Sequence, residues 1–473
     1  MKPKRININS FDNCSSFYNY RPKLTLNNSM GVGVAKFPSE ITDPTEIELN
    51  IDGLGLDSVD GVAFVKLFQE KTGQTQNRIL LYGSDKKIYI NELFFQDTEL
   101  YWMFNLRAES APVTLAYKKD GIDTVILTSE EEMKIWKAGY SPKSIENVPI
   151  ITSMCMNEGV LFCTIKEPAF NIWYATDLGV ESVGSTNKNS GYIMLEDDLG
   201  YARKVITFDQ DVYIFRDYGI SKINYVKGEI SVTQIYESTT KINCNTVAAC
   251  GNFILFTTNS GVFSFNGVKV SKTNINIESL LPSINENSVG ACLNDKYYLA
   301  LKLNFGDEKQ ILCENVNYVN NAILIIDTND FSFEIIRGVD VKSIVPIKTE
   351  VFEKVLLTFN SEHENRLGQI VNTSTCFNDP LPKYWGSGDL VENFNPKVFT
   401  KLEVKADKDV KFNLHFEDKT ISFTTYKSGI NQFCFKIYSK DMKISISSSS
   451  AEAKVENVAL EYYENWRNYF KNF

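Results

Sequence analysis

The chain has 473 residues, 43% hydrophobic and 23% charged, an ordinary globular composition with room for two or three domains. With 49 basic against 59 acidic residues its net charge is −10, which argues against a nonspecific grip on a phosphate backbone. No apolar run approaches transmembrane length and none follows the basic start MKPKRININS, so neither a membrane span nor a signal peptide is expected.

Residues 1–60 are rich in turn formers and poor in periodicity, and read as an arm or as a strand lent to close the domain that follows. Paired strands then recur. They are NRILLYGSDKKIYIN (77–91), KDGIDTVILTS (119–129) with MKIWKAG (133–139), and NEGVLFCTI (157–165) with NIWYATD (171–177). After them come FDQDVYIFRDYGISKI (208–223), GNFILFTTNSGVFSFNG (251–267), LNDKYYLALKL (293–303) with AILIIDTNDFSFEII (322–336), and EKVLLTFN (353–360) with RLGQIV (366–371). Each is an aromatic and β-branched run broken by Asn, Asp or Gly, which is the pattern of a hairpin rather than a helix. A single hairpin is marginal in water, so the units must stack. About seven of them, roughly 35–60 residues apart and with no repeating signature, predict a β-propeller of about six or seven blades over 61–371. Separate sandwiches in series would need clearer linkers.

The stretch NTSTCFNDPLPKYWGSGDL (372–390), with two prolines and two glycines, reads as a linker. Beyond it the alternation is strict: Val410, Phe412, Leu414 and Phe416 fall on one face and Lys411, Asn413, His415 and Glu417 on the other. The same period in 400–406, 420–426, 432–438, 442–447 and 458–463 predicts a β-sandwich over 391–473. The expected fold class is all-β, a propeller followed by a C-terminal sandwich.

Residues suited to chemistry are sparse. Nine cysteines are scattered with no CxxC pair; Cys155, Cys163, Cys250 and Cys434 sit in apolar runs and read as small core residues, a usage that suggests synthesis in a reducing cytoplasm. The two histidines, His363 in a polar loop and His415 on a polar strand face, read as solvated and leave little room for a metal site or a Ser/His/Asp triad. Gly31 and Gly33 lack the third glycine of a dinucleotide loop. Asp52, Asp57 and Asp60 could offer oxygens to calcium, but their spacing fits no EF-hand and their Asp-Gly pairs read as turns; 327–334 fares no better. No catalytic, cofactor-binding or metal-binding residue is therefore expected, and no cofactor. In the tail, Tyr463, Trp466, Phe470 and Phe473 have a three-four-three spacing that would align them on one side of a short helix. That stripe packs on its own sandwich or anchors a neighbouring subunit.

Two passages carry a family resemblance. MGVGVAKFPSEITDPTEIELNIDGLGLDSVDG (30–61) resembles the opening of bacteriophage tail-associated β-propeller proteins. KYWGSGDLVENFNPKVFTKLEVKADKDVKFNLHFEDKT (383–420), with Trp385 and the Asp389-Leu390 turn, is similar to their closing sandwich. In length and domain order the chain resembles the tail hub or nozzle (packaged-DNA stabilisation) proteins of short-tailed phages. The resemblance implies a structural, non-enzymatic virion protein made in the host bacterial cytoplasm. It further implies a homo-oligomeric ring, sixfold, that meets other tail and portal-proximal proteins and lets DNA pass without sequence-specific binding. The rival readings are a carbohydrate-binding propeller for host-surface glycans and a propeller glycosidase built on two carboxylates.

Overall fold

In the computed structural model the apolar runs become the two middle strands of a sheet repeated seven times. The structure describes residues 3–8, 29–30, 42–46 and 54–464 except 55, 70–73, 92–99, 106–110, 120–121, 131, 138–139, 227–228, 276, 279–280, 283–285, 305–317, 332, 338–339, 350–352, 361–366, 373–374, 377–378, 381–382, 387–389, 391–395 and 449–452. Strands dominate these residues, with one short 3-10 helix at Asp177–Ser182.

Seven four-stranded antiparallel sheets form the blades of a propeller. Blades 1 to 6 span 59–105, 113–146, 151–194, 202–237, 242–272 and 289–337. Blade 7 takes three strands from 341–372 and its outermost strand, Thr42–Glu46, from near the start of the chain. Thr42 to Glu46 pair with Asn372 to Gly368, which closes the ring between its first and last parts. The first strand of each later-packed blade lies against the first strands of its neighbours, so these strands surround the axis.

The middle strands are largely apolar because each blade is covered by a neighbour on both faces. In blade 5, Phe253–Thr258 pairs with Gly261–Phe265, Ile254 opposite Phe265 and Thr258 opposite Gly261. Gly261 turns this hairpin at φ +126°, a conformation that L side chains rarely adopt. Phe256 and Phe265 are fully buried against Tyr213 and Phe215 of blade 4, with ring centroids 5.4 Å apart for Phe215 and Phe256. Each such side chain contributes about 1.5–3 kcal/mol by leaving water. Comparable clusters fill the other blade junctions, including Val59, Ile79 and Leu81 of blade 1 against Ile347 and Leu356 of blade 7. Closure thus has an apolar seam as well as a strand pairing.

The sandwich consists of a four-stranded and a five-stranded sheet. Val398, Phe399, Leu402, Val404, Phe412, Leu414 and Ile446 are buried, as the alternation requires, and most line its core. It also takes strands from outside the region read as the sandwich. Lys4–Ile8 pairs with the last strand, Val455–Tyr463, and Ser29–Met30 pairs with Trp385 and Tyr384 of Lys383–Gly386. The described strands of residues 1–60 are therefore divided between both domains, and the stretch read as a linker contributes a sandwich strand. The chain crosses between domains twice, after Met30 and after Asn372, and both crossings join neighbouring strands at each end.

The cysteine reading needs two corrections. Cys250 is bonded to Cys292 across blades 5 and 6, with Cα atoms 5.5 Å apart, a separation within the usual disulfide range. Cys434 is exposed, because alternate residues of Gly429–Ser439 turn outward and it is one of them. Cys155 and Cys163 are buried and free, as expected for core thiols.

Candidate functional site

A bulge marks the second residue of the innermost strand in four blades. The register shifts at Asp60 in blade 1, Thr152 in blade 3, Arg203 in blade 4 and Lys342 in blade 7. Blade 5 carries a wider one between Asn243 and Ala248. A bulge leaves one residue out of the ladder and re-aims its side chain; those of blades 3 and 4, Thr152 and Arg203, line a common cleft. The hydroxyl of Thr246 holds the wide bulge, donating to the Asn243 carbonyl (2.6 Å) and accepting from the Thr257 N–H (2.9 Å). At the closure seam Lys342 Nζ meets Asp60 Oδ1 at 2.9 Å.

The cleft, between blades 3 and 6, has a volume of about 610 Å³, within the size range of small-ligand sites. Thr152, Arg203, Asp217, Lys241, Asn243, Asn245, Asn259 and Glu286 line it, with Ile242 and Cys244 at its wall. Asp217 and Asn259 come from turns between middle strands, and Lys241 and Glu286 from the connections between blades. Arg203 donates from Nε and a terminal nitrogen to the two oxygens of Asp217, at 3.0 and 3.3 Å. Its guanidinium lies 5.0 Å from the ring centroid of Tyr201, whose backbone N–H also donates to Asp217 at 3.0 Å. Planar pairing of this kind fixes a guanidinium more firmly than a single contact would. Lys241 bonds Glu286 at 2.9 Å, and that hydrogen bond raises its pKa above the ordinary lysine value. Burial pushes the Cys244 thiol up to about 12, so this sulfur stays protonated.

Lys204, next to Arg203 on the innermost strand of blade 4, is half-buried and feels the thiols of Cys155 in blade 3 and Cys244 in blade 5. Burial lowers its pKa from the ordinary lysine value. The neighbouring thiols, both pushed up to about 12 by burial, give it no counter-charge at neutral pH.

The residues singled out in the sequence lie elsewhere. Tyr463 is half-buried at the end of the last strand rather than at the start of a helix; Trp466, Phe470 and Phe473 lie outside the described residues. His363 and Asp52 also lie outside them. Asp60 is held by Lys342 and by the hydroxyl of Ser58 (3.0 Å), and among the described residues no group of three or more His, Cys, Asp or Glu side chains could hold a metal ion. Asp327 accepts from the Asn329 N–H at 2.9 Å, a local turn contact.

His415 is less solvated than its strand face suggested. It is half-buried, with Nδ1 3.0 Å from Thr420 Oγ1 and Nε2 2.9 Å from Ser445 Oγ. Burial first, and the charge of Lys443 second, lower its pKa from the ordinary 6.5. The unfolded chain therefore takes up the proton first as pH falls. The stability this neutral ring contributes is full above pH 6.5 and lost below it, down to the depressed folded pKa. NMR titration is expected to show His415 titrating below 6.5, with the sandwich unfolding more readily at pH 5 than at pH 7. A folded-state titration at or above 6.5 would contradict this.

No family model and no curated protein matches the chain. Among solved structures it is similar to Kluyveromyces lactis Hsv2, at 11% identity and TM-score 0.33, over 55% of this chain and 81% of that one. It is also similar to the extracellular domain of the one component system BT4673 from B. thetaiotaomicron, at 12% identity and TM-score 0.41. That match covers 89% of this chain but only 59% of the other's length. The N-terminal domain of Nup159 matches at 7% identity and TM-score 0.39, over 72% of this chain and 98% of that one. Nothing of these proteins' roles passes to this chain at such identities and scores.

Proposed function

We propose that this protein is a non-enzymatic structural component of a bacteriophage tail. In this reading it assembles as a ring of identical subunits that continues the DNA exit channel and helps retain the packaged genome. One observation carries the reading beyond the sequence resemblance: the propeller and sandwich are joined by two chain crossings rather than one. Two crossings between paired strands resist the swivelling that a single linker permits, which suits a part that bears load. The net charge of −10 is compatible with a channel that DNA passes without sticking, since like charges repel. A ring also needs a heterologous interface whose rotation closes. Single-particle electron microscopy of the purified protein, alone and mixed with a portal, tests the reading. Closed rings with an open axis are the expected result; monomers under both conditions would overturn it.

A further inference from the structure

We propose that an aromatic, acid-rimmed face of blades 3 and 4 receives the last nine residues of the sequence, NWRNYFKNF (465–473), from a neighbouring copy of this chain. This rests on the reading of the protein as a ring of identical subunits and names the contact that joins them.

Three loops build the face. The turn at 167–170 joins the middle strands of blade 3, the turn at 217–218 joins those of blade 4, and 195–201 connects the two blades. The connection is pinned to both turns. The N–H groups of Leu195 and Ala202 donate to the carbonyls of Phe170 and Ala169 at 2.9 and 2.8 Å, and the N–H of Tyr218 donates to the Leu199 carbonyl at 2.9 Å. Met194 pairs with Asn171, next to Phe170. Phe170, Met194, Tyr201 and Tyr218 therefore stand on neighbouring backbone, each between 38% and 50% exposed. Single exposed apolar residues are ordinary, whereas a group of four rimmed by charge marks an interaction surface.

The rim is acidic. Glu167, Glu196 and Asp198 are exposed, and among the described residues none of them enters an ion pair. Asp197 is neutralised by the buried Arg216 and Asp217 by Arg203, and Lys166 is the one basic residue in the loops themselves. NWRNYFKNF is complementary on both counts. It carries Arg467 and Lys471 and no acidic side chain, and it presents Trp466, Tyr469, Phe470 and Phe473. Its cations suit the carboxylates and the faces of the tyrosines, and its rings supply the contact area of an interface anchor.

The position of the sandwich selects a neighbouring copy as the donor. The last sandwich strand ends at Tyr463, and the sandwich lies against blade 6, with Ser29–Met30 beside Phe333–Arg337. Blades 3 and 4 are three and two blades away round the propeller. Donor and acceptor surfaces thus sit on different sides of the subunit, the head-to-tail arrangement from which rings are built.

Calorimetric titration of the peptide NWRNYFKNF, capped at both ends, into the chain truncated after Glu464 tests the docking. The truncation keeps the last strand, so an unchanged melting point is expected. The peptide is expected to bind, Tyr201→Ser to weaken it about tenfold and Glu196→Lys several-fold, the second effect shrinking at high salt. Both positions are exposed, and Tyr201 reaches Asp217 through its backbone alone, so both variants should fold, which circular dichroism checks. Ile430→Ser, at an exposed position on the sandwich, is expected to change nothing. In sedimentation the full chain is expected to associate as concentration rises and the truncated chain to stay monomeric. Absence of binding at about 1 mM peptide would overturn the proposal, as would undiminished binding to Tyr201→Ser and Glu196→Lys. Loss of binding in Ile430→Ser would place the segment on the sandwich, and a full chain that stays monomeric while the peptide binds would place it on its own propeller; either result overturns the neighbouring copy. Closed rings formed by the truncated chain would overturn the docking and leave the ring reading intact, whereas tail-dependent association into open filaments would support the docking and count against the ring alone.

Discussion

Deleting residues 1–46 is expected to lower the thermal midpoint by about 10 °C and to yield a product that aggregates, whereas deleting residues 1–8 produces only a small part of that loss. The short deletion removes one edge strand of the sandwich, Lys4–Ile8, and leaves the propeller intact. The long one also removes Ser29–Met30, a two-residue edge strand of the sandwich, and Thr42–Glu46, the outermost strand of blade 7. Gly368–Asn372 then becomes an open edge, and a row of unpaired N–H and C=O groups invites pairing with another chain. The apolar seam between Ile347, Leu356 and Val59, Ile79 remains, so the ring should loosen at its edge rather than dissolve. Calorimetry and size-exclusion chromatography on both deletions provide the comparison. Equal midpoints for the two would mean that the strand from the start of the chain does not secure closure.

Asp340→Ala should destabilise the propeller by about 3–5 kcal/mol. Asp340 is buried between blades 6 and 7, and one of its oxygens accepts from the N–H groups of Val319 and Asn320, both at 2.9 Å, and from the Asn360 amide at 3.1 Å. Alanine leaves the buried Asn320 N–H without its acceptor and takes one from the partly exposed Val319 N–H and from the Asn360 amide, which keeps the Val341 carbonyl; an orphaned buried donor costs about 1–3 kcal/mol, and removing the buried carboxylate's own hydrogen bonds adds to this. Asp340→Asn keeps a carbonyl oxygen for them and should recover more than half of the loss. Urea denaturation of the two variants separates the readings: equal losses would mean that the charge, rather than the acceptor, is what the blade junction uses.

The central hairpins were legible because a strand covered on both faces must be apolar along its whole length. Phe253 to Phe256 and Val212 to Phe215 announce themselves this way. The innermost strands were not, since Ile242–Cys250, INCNTVAAC, mixes small, polar and apolar residues to suit the axis on one side and packed blades on the other. Bulges blur the period of the innermost strands further, and Thr152 and Arg203, which line the cleft, sit at two of them. Asp217 was visible only as part of a turn; its partnership with Arg203 depends on how the loop meets the neighbouring strand. Similarly, Cys250 looked like any core thiol because Cys292, on the facing blade, is 42 positions away. The fate of residues 1–60 was beyond local reading altogether, because Lys4–Ile8 and Thr42–Glu46 each pair with strands near the opposite end of the chain.

The pairing of Lys4–Ile8 with Val455–Tyr463 also sets a timetable for synthesis. At about 5–20 residues per second, a ribosome needs roughly 20–90 s between emitting the first strand and emitting its partner. Thr42–Glu46 waits less, since Gly368–Asn372 emerges earlier. The propeller can therefore lock before Val455–Tyr463 has been made, and the sandwich can be completed only after that strand emerges. Until then the opening strand is an unpaired edge tethered to a finished disc, and whatever shields it during that interval governs the yield of folded protein.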